Sequence, residues 1–181
     1  MQGSTLLPAQ WTFTTVNGAG ATIHPATGGT LVFTDAGGSP TTVTVPPNAV
    51  TSTLFLLYVV GETPIDLPPQ LTFAGHAFDL LAYRNGVELT GWPFSAPLTV
   101  TLHYTDADIA GLDESKLTLM TVQPTDFPNF EWVDVTGVCT PPLGYLRAPA
   151  QNWLATGVCN LGEFALFEKR EFALYLPLVL K

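Results

Sequence analysis

The sequence predicts an all-β fold, an antiparallel β-sandwich of about 9–11 strands with Gly/Pro-rich loops, and three observations carry that expectation. Gly and Pro each occur 16 times in 181 residues, and Thr far outnumbers Glu, Lys and Arg, so strand and turn formers abound while good helix formers are scarce. Short apolar or alternating runs recur between clusters of Gly, Pro, Asn and Asp, the pattern of strands between turns. No helical heptad and no low-complexity linker breaks that rhythm.

Taken in order, the expected strands are WTFTTV (11–16), TLVFT (30–34), TTVTV (41–45), TLFLLYVV (53–60), AFDLLAY (77–83), PLTVTLHY (97–104), KLTLMTV (116–122), EWVDV (131–135), EFALF (163–167) and EFALYLPLVL (171–180). VNGAG, TDAGGSP, VPPNAV, YRNGVELTG and CTPPLG read as loops between them. In PLTVTLHY, residues Leu98, Val100, Leu102 and Tyr104 share one face and Thr99, Thr101 and His103 the other, as in a half-buried sandwich strand. One short helical turn is expected within TDADIAGLDESKLTLM (105–120), capped by Asp106 or Asp113, because a short acidic side chain accepts from the free amides of a first turn.

A chain of 181 residues suffices for one sizeable domain that buries roughly 70% of its unfolded surface. Residues 1–170 are expected to form that sandwich, with 171–181 as a C-terminal apolar strand. Six Lys and Arg against fifteen Asp and Glu give a net charge of −9, which argues against nucleic acid or an anionic membrane surface as partner. No run reaches the ~18 apolar residues of a membrane-spanning helix, and MQGSTLLPAQ lacks the basic start and apolar core of a leader, so the text reads as a mature chain.

Cys139 and Cys159 are the only cysteines; a bridge between them closes a loop whose constraint is worth ~3 kcal/mol, and an extracellular setting permits it. Two buried thiols are the alternative, and a zinc site lacks the four ligands it needs. His24, His76 and His103 are isolated in the sequence, and no nucleophile-elbow motif is present, so no catalytic residue and no cofactor is expected. The acids of DADIAGLDE resemble the start of a calcium loop, but its twelfth position is Leu117 where a bidentate Glu is needed. A surface calcium site from Asp106, Asp108, Asp113 and Glu114 is the rival to turn capping. Trp92 and Trp153 lie near loops, where rings stack on sugars, whereas Trp132 and Tyr104 fall in inward-pointing patterns.

The order GGTLVFTDAGGSPTTVTVPPNAV (28–50), PFSAPLTVTLHYTDADIAGLDESKLTLM (93–120), WVDV and GVCNLGEFALF resembles the ZU-type domain of zonula-occludens proteins, netrin receptors, ankyrins and bacterial surface proteins. The resemblance covers about residues 28–167 and rests on a paired Gly before a strand, a Pro-Pro turn, the P-x-x-V-x-L-x-Y strand with its acidic turn and a closing aromatic strand. It implies a β-sandwich used for protein–protein contact. Some members of that family cut their own chain at His-Phe-Ser; the matching triplet here is Glu163-Phe164-Ala165, and Ala165 offers no nucleophile.

The C-terminal strand is apolar on both faces: Phe172, Leu174, Leu176, Leu178 and Leu180 alternate with Ala173, Tyr175, Pro177 and Val179. A strand of that kind wants cover on both sides, and Pro177 confines it to an edge or to an unpaired amide position. Glu168, Lys169 and Arg170 form the densest charge cluster and read either as a tight turn, giving a hairpin in one subunit, or as an extended hinge that lets the strand complete a neighbour's sheet. The ending also resembles the Tyr-Leu-Pro-Leu-Val endings of secreted proteins from some filamentous thermophilic bacteria. The expectation is a non-enzymatic, extracellular or cell-surface structural and adhesive module that self-associates, as a filament or surface-layer subunit, and contacts other surface proteins. A secreted carbohydrate-binding module, using Trp92 and Trp153, is the alternative.

Overall fold

A computed structural model describes residues 16–65, 67–125 and 130–170. Among these, twelve strands form two antiparallel sheets packed face to face, a β-sandwich with slightly more strands than expected. In spatial order the larger sheet runs β1 (Gly18–Ile23), β4 (Leu54–Val60), β5 (Leu71–Arg84), β12 (Gly162–Lys169), β8 (Leu117–Pro124) and β9 (Phe130–Asp134), and β6 (Val87–Glu88) returns along β5. The smaller sheet runs β10 (Tyr145–Ala148), β11 (Trp153–Val158), β7 (Leu98–His103), β3 (Pro40–Val45) and β2 (Gly29–Thr34). The expected strand at 11–16 lies, but for Val16, outside the described residues, and so does the C-terminal strand at 171–180.

Alternation places the core. Leu98, Val100 and Leu102 of β7 are fully buried and Tyr104 just beyond it is 4% exposed; Val43 on β3 and Leu154 on β11 pair with Val100 and Leu102 in the same sheet and join the same cluster. A column of rings crosses the sandwich: Phe33 stacks on Tyr58 at 4.9 Å, Tyr58 on Phe78 at 4.8 Å and Phe78 on Phe164 at 5.3 Å. Each such pair adds about 0.5–1.5 kcal/mol beyond burial of its area. A second, smaller cluster of Leu71, Ala77, Met120, Ala165 and Phe167 packs with Leu67, Phe73 and Trp132. Phe164 and Leu166 belong to the first cluster and Ala165 and Phe167 to the second, so β12 buries both faces.

Two loops expected from sequence are corrected. VNGAG is mostly strand, because Gly18 and Gly20 leave room for the Tyr58 carbonyl and the Phe55 ring of β4, which a Cβ would displace. YRNGVELTG contains a two-residue hairpin turn at Asn85 and Gly86, with φ of 53° and 77°, the left-handed pair that type I′ turns require. The strands β10 and β11, which no expected element covered, close the smaller sheet. The helical turn is real but short: Asp113 caps the 3-10 turn Glu114–Lys116 by accepting from the Ser115 amide at 3.0 Å.

Side chains finish what the ladders leave open. The first half of β8 has no strand on its outer side; the Tyr145 hydroxyl accepts from the Leu119 amide at 3.0 Å and donates to Asp134 at 2.8 Å, and Arg147 donates to the Leu117 carbonyl at 2.8 Å. Cys139 and Cys159 are joined, with Cα atoms 5.3 Å apart, tying the β9–β10 connection to the β11–β12 connection. Cys139→Ala with Cys159→Ala should lower unfolding stability by about 3 kcal/mol, read as a lowered denaturant midpoint, with a steeper slope because the unfolded chain without its cross-link is more expanded.

Candidate functional site

The most unusual backbone in the larger sheet lies in β5. Ala165 pairs with Ala77 but Phe167 pairs with Phe73, so β5 carries extra residues opposite β12, a bulge that bends the strand and re-aims a side chain. Gly75 sits at φ 81°, a left-handed conformation that glycine alone adopts without penalty. A Cβ there would come within 2.9 Å of Asp108, so glycine also lets the 105–113 loop close onto the bulge. His76, the next residue, is 8% exposed, with its Nε2 3.5 Å from Asp108 Oδ2. That contact is too long and poorly aligned for a hydrogen bond, and Nε2 has no other partner.

Asp108 is fixed from its own loop: Oδ2 accepts from the Thr105 amide and the Thr105 hydroxyl, both at 2.7 Å. Burial raises its pKa, but the two Thr105 donors, aided by His76, outweigh that and hold it below the usual carboxylate range. Burial holds the His76 imidazole below its ordinary pKa, against the opposing pull of Asp108 and Asp35, so at neutral pH it is uncharged. His76, Asp35, Tyr58, Asn17, Phe33 and Phe73 line a hollow of about 260 Å³. Asp35 is set there by the β2–β3 turn, where its Oδ1 accepts from the Ser39 amide at 2.9 Å. Burial, reinforced by the Asp35 charge, pushes the Tyr58 hydroxyl up to about 12, which keeps it protonated. His76 and Asp35 line the hollow, with no Ser or Cys among its described lining residues, an arrangement suited to hydrogen bonding a ligand rather than to nucleophilic attack.

A second hollow, of about 480 Å³, is lined by Glu62, Ile65, Asp79, Phe130, Trp132 and Glu163 among others. Asp79 and Glu163 are direct cross-strand partners on β5 and β12. Burial raises the pKa of Asp79; burial and then the Asp79 charge raise that of Glu163. Phe130 and Ile65 are exposed beside them.

The residues singled out by sequence are dispersed. Trp92 packs on Phe94 near Asn160 and Leu161, whereas Trp153 pairs with His103 at the other end of β11 from Val158. Five residues of strand separate those ends by about 17 Å, so the two indoles do not form one stacking platform. The acids of the 106–114 stretch act as local acceptors: Asp106 from the Asn152 amide group at 2.7 Å, Asp108 from Thr105, and Asp113 from Ser115 with Lys116 at 3.3 Å. Among the described residues no group of three or more His, Cys, Asp or Glu could hold a metal ion. In the Glu163-Phe164-Ala165 triplet, Glu163 faces the second hollow while Phe164 and Ala165 are fully buried. Glu168 and Lys169 are paired residues of β12, and Arg170 donates its amide to the Gln70 carbonyl at 2.8 Å and its Nε to Glu168 at 3.0 Å. The charged triplet therefore prolongs the strand rather than turning.

Sequence reasoning missed Asp35, Tyr58, His76 and the Asp79–Glu163 pair. An isolated Gly beside an apolar run is a bulge signal, and Gly75 before AFDLLAY carries it; nothing local points to the partners. No protein-family model matches the chain, and no curated protein matches its sequence. No helix among the described residues is long and apolar enough to cross a membrane.

Like charges directly opposite on neighbouring strands are unfavourable. Raised carboxylate pKa values mean that the folded chain holds those protons more tightly than the unfolded one, so the pair costs stability as pH rises through the carboxylate range. Glu163→Gln should stabilise the protein at neutral pH by about 0.2–1 kcal/mol. The gain should vanish near about pH 3, where both acids are protonated in either state; urea melts at the two pH values measure it.

Proposed function

We propose that this chain is an extracellular structural and adhesive module of ZU type that acts through protein–protein contact and self-associates through residues 171–181, as a filament or surface-layer subunit. One observation carries the reading. β12 is flanked on both sides up to its end, by β5 through Lys169 opposite Leu71 and by β8 through Glu168 opposite Leu117. A hairpin return of the following text onto β12 has no open ladder to join.

Of the two burials open to EFALYLPLVLK, in its own sandwich or in a neighbour's, the flanked β12 speaks against the first in the form of a hairpin on the preceding strand. What remains is a distant edge or the sheet of another copy, and strand addition supplies main-chain hydrogen bonds together with cover for both apolar faces. Burying its five larger side chains contributes roughly 1.5–3 kcal/mol each. The exit point is firm, since Arg170 is bonded to Gln70 and Glu168. A head-to-tail exchange that does not close gives a filament. The Cys139–Cys159 bridge supports an oxidising, extracellular address.

Deleting residues 171–181 should leave a folded monomer, with the disulfide intact, where the full chain forms large particles. Light scattering with negative-stain microscopy on both forms decides it. Polymers persisting in the truncated chain, or a full chain that stays monomeric at high concentration, would overturn the proposal.

A further inference from the structure

We infer that the hollow at the β5 bulge binds a primary ammonium on a short alkyl chain, the group carried by a free diamine or by a lysine side chain. The inference starts from an unexplained atom. His76 is more than nine-tenths buried, yet its Nε2 makes no hydrogen bond, and native structures rarely leave such a group without a role. The imidazole belongs to the wall of a hollow of about 260 Å³, room enough for a short alkyl amine.

The sign of the ligand follows from the charges around it. Asp35 uses one carboxylate oxygen on the Ser39 amide, leaving the other for a ligand. Its charge reaches two lining groups: it adds to the upward shift that burial gives Tyr58, and at His76 it opposes the larger downward effect of burial. Asp108 adds a second negative charge 3.5 Å from His76 Nε2. Among the described residues no Lys or Arg lines the hollow, and the chain as a whole carries −9. A phosphate or carboxylate ligand meets only repulsion there.

The remaining walls suit an alkyl ammonium. Phe33, Tyr58 and Phe73 all line the hollow, and their apolar ring surface can bury an alkyl stem. The ammonium donates to the free Asp35 oxygen and to the neutral imidazole, while Asn17 and Thr63 offer further acceptors at the rim. A divalent metal is a poorer fit, since no three ligating side chains converge among the described residues.

Binding is then linked to pH. The titratable groups facing His76 are Asp108 from the 105–113 loop, Asp35 from the β2–β3 turn and Tyr58 from β4. Protonating His76 places a positive charge beside the ammonium, so affinity falls on acidification.

The test is a titration of the full chain followed at the His76 side-chain resonances, with cadaverine, Nα-acetyl-lysine amide and glucose as separate probes. Saturable shifts with the amines and none with glucose are expected; response to cadaverine alone assigns a free amine, response to the lysine derivative a protein lysine. Asp35→Asn, which keeps an oxygen for the Ser39 amide, should weaken amine binding at least about tenfold without changing the melting curve. Affinity should drop several-fold from about pH 7.5 to about pH 5, and His76→Gln should abolish that dependence. Glu163→Gln, in the other acidic hollow, should leave the affinity unchanged. Shifts that survive Asp35→Asn, equal binding of glucose, or no saturable shift with either amine would overturn the inference.

Discussion

The burial of β12 on both faces is the constraint from which the rest of this sandwich follows. Phe164, Ala165, Leu166 and Phe167 are consecutive and each is fully buried. A strand can hide both faces only when something lies on each side of its sheet. Here the smaller sheet covers Phe164 and Leu166, while Phe73, Trp132 and Leu67 cover Phe167 and Ala165. Its flanks are equally committed, to β5 and β8. The ring column that begins at Phe33 ends on Phe164, and the smaller cluster is centred on Phe167, which Phe73 and Trp132 meet edge-on at 6.1 and 5.0 Å.

The bulge in β5 is the accommodation that this arrangement requires. Beside β12, β5 supplies Ala74, Phe78 and Leu80 to the main core and Leu71 and Ala77 to the outer cluster, so on both sides of Gly75 it serves both. The extra residues leave the ladder, and His76 goes with them into the space between the β2–β3 turn and the 105–113 loop. A local irregularity of backbone thus brings imidazole, carboxylate and aromatic walls together. Departures of this kind from regular geometry concentrate at functional sites.

What the sequence disclosed depended on how local the cause was. The alternation of PLTVTLHY and the apolar runs at 54–60 and 163–167 were enough to place β7, β4 and β12, because a period of two needs no partner to be seen. The disulfide was legible from the spacing and loneliness of two cysteines. Gly18 and Gly20 misled, since their glycines serve the Tyr58 carbonyl and the Phe55 ring of another strand, a tertiary cause with no local mark. The hollow was hidden for the same reason. Asp35, Tyr58, His76 and Asp108 come from four separate elements, and no spacing links them. The two tryptophans that drew attention as a pair are separated by the length of β11.

The position of β12 also sets how the molecule bears load. In an antiparallel ladder the hydrogen bonds lie perpendicular to the strands, so tension applied along the chain at Arg170 meets the bonds to β5 and to β8 side-on and all together. Such a strand resists as a sheared joint; an edge strand such as β9 would peel, one bond after another. Residues 139–159, spanned by the disulfide, cannot lengthen at all under the same pull. A tether leaving from this strand is anchored in the part of the fold that yields last.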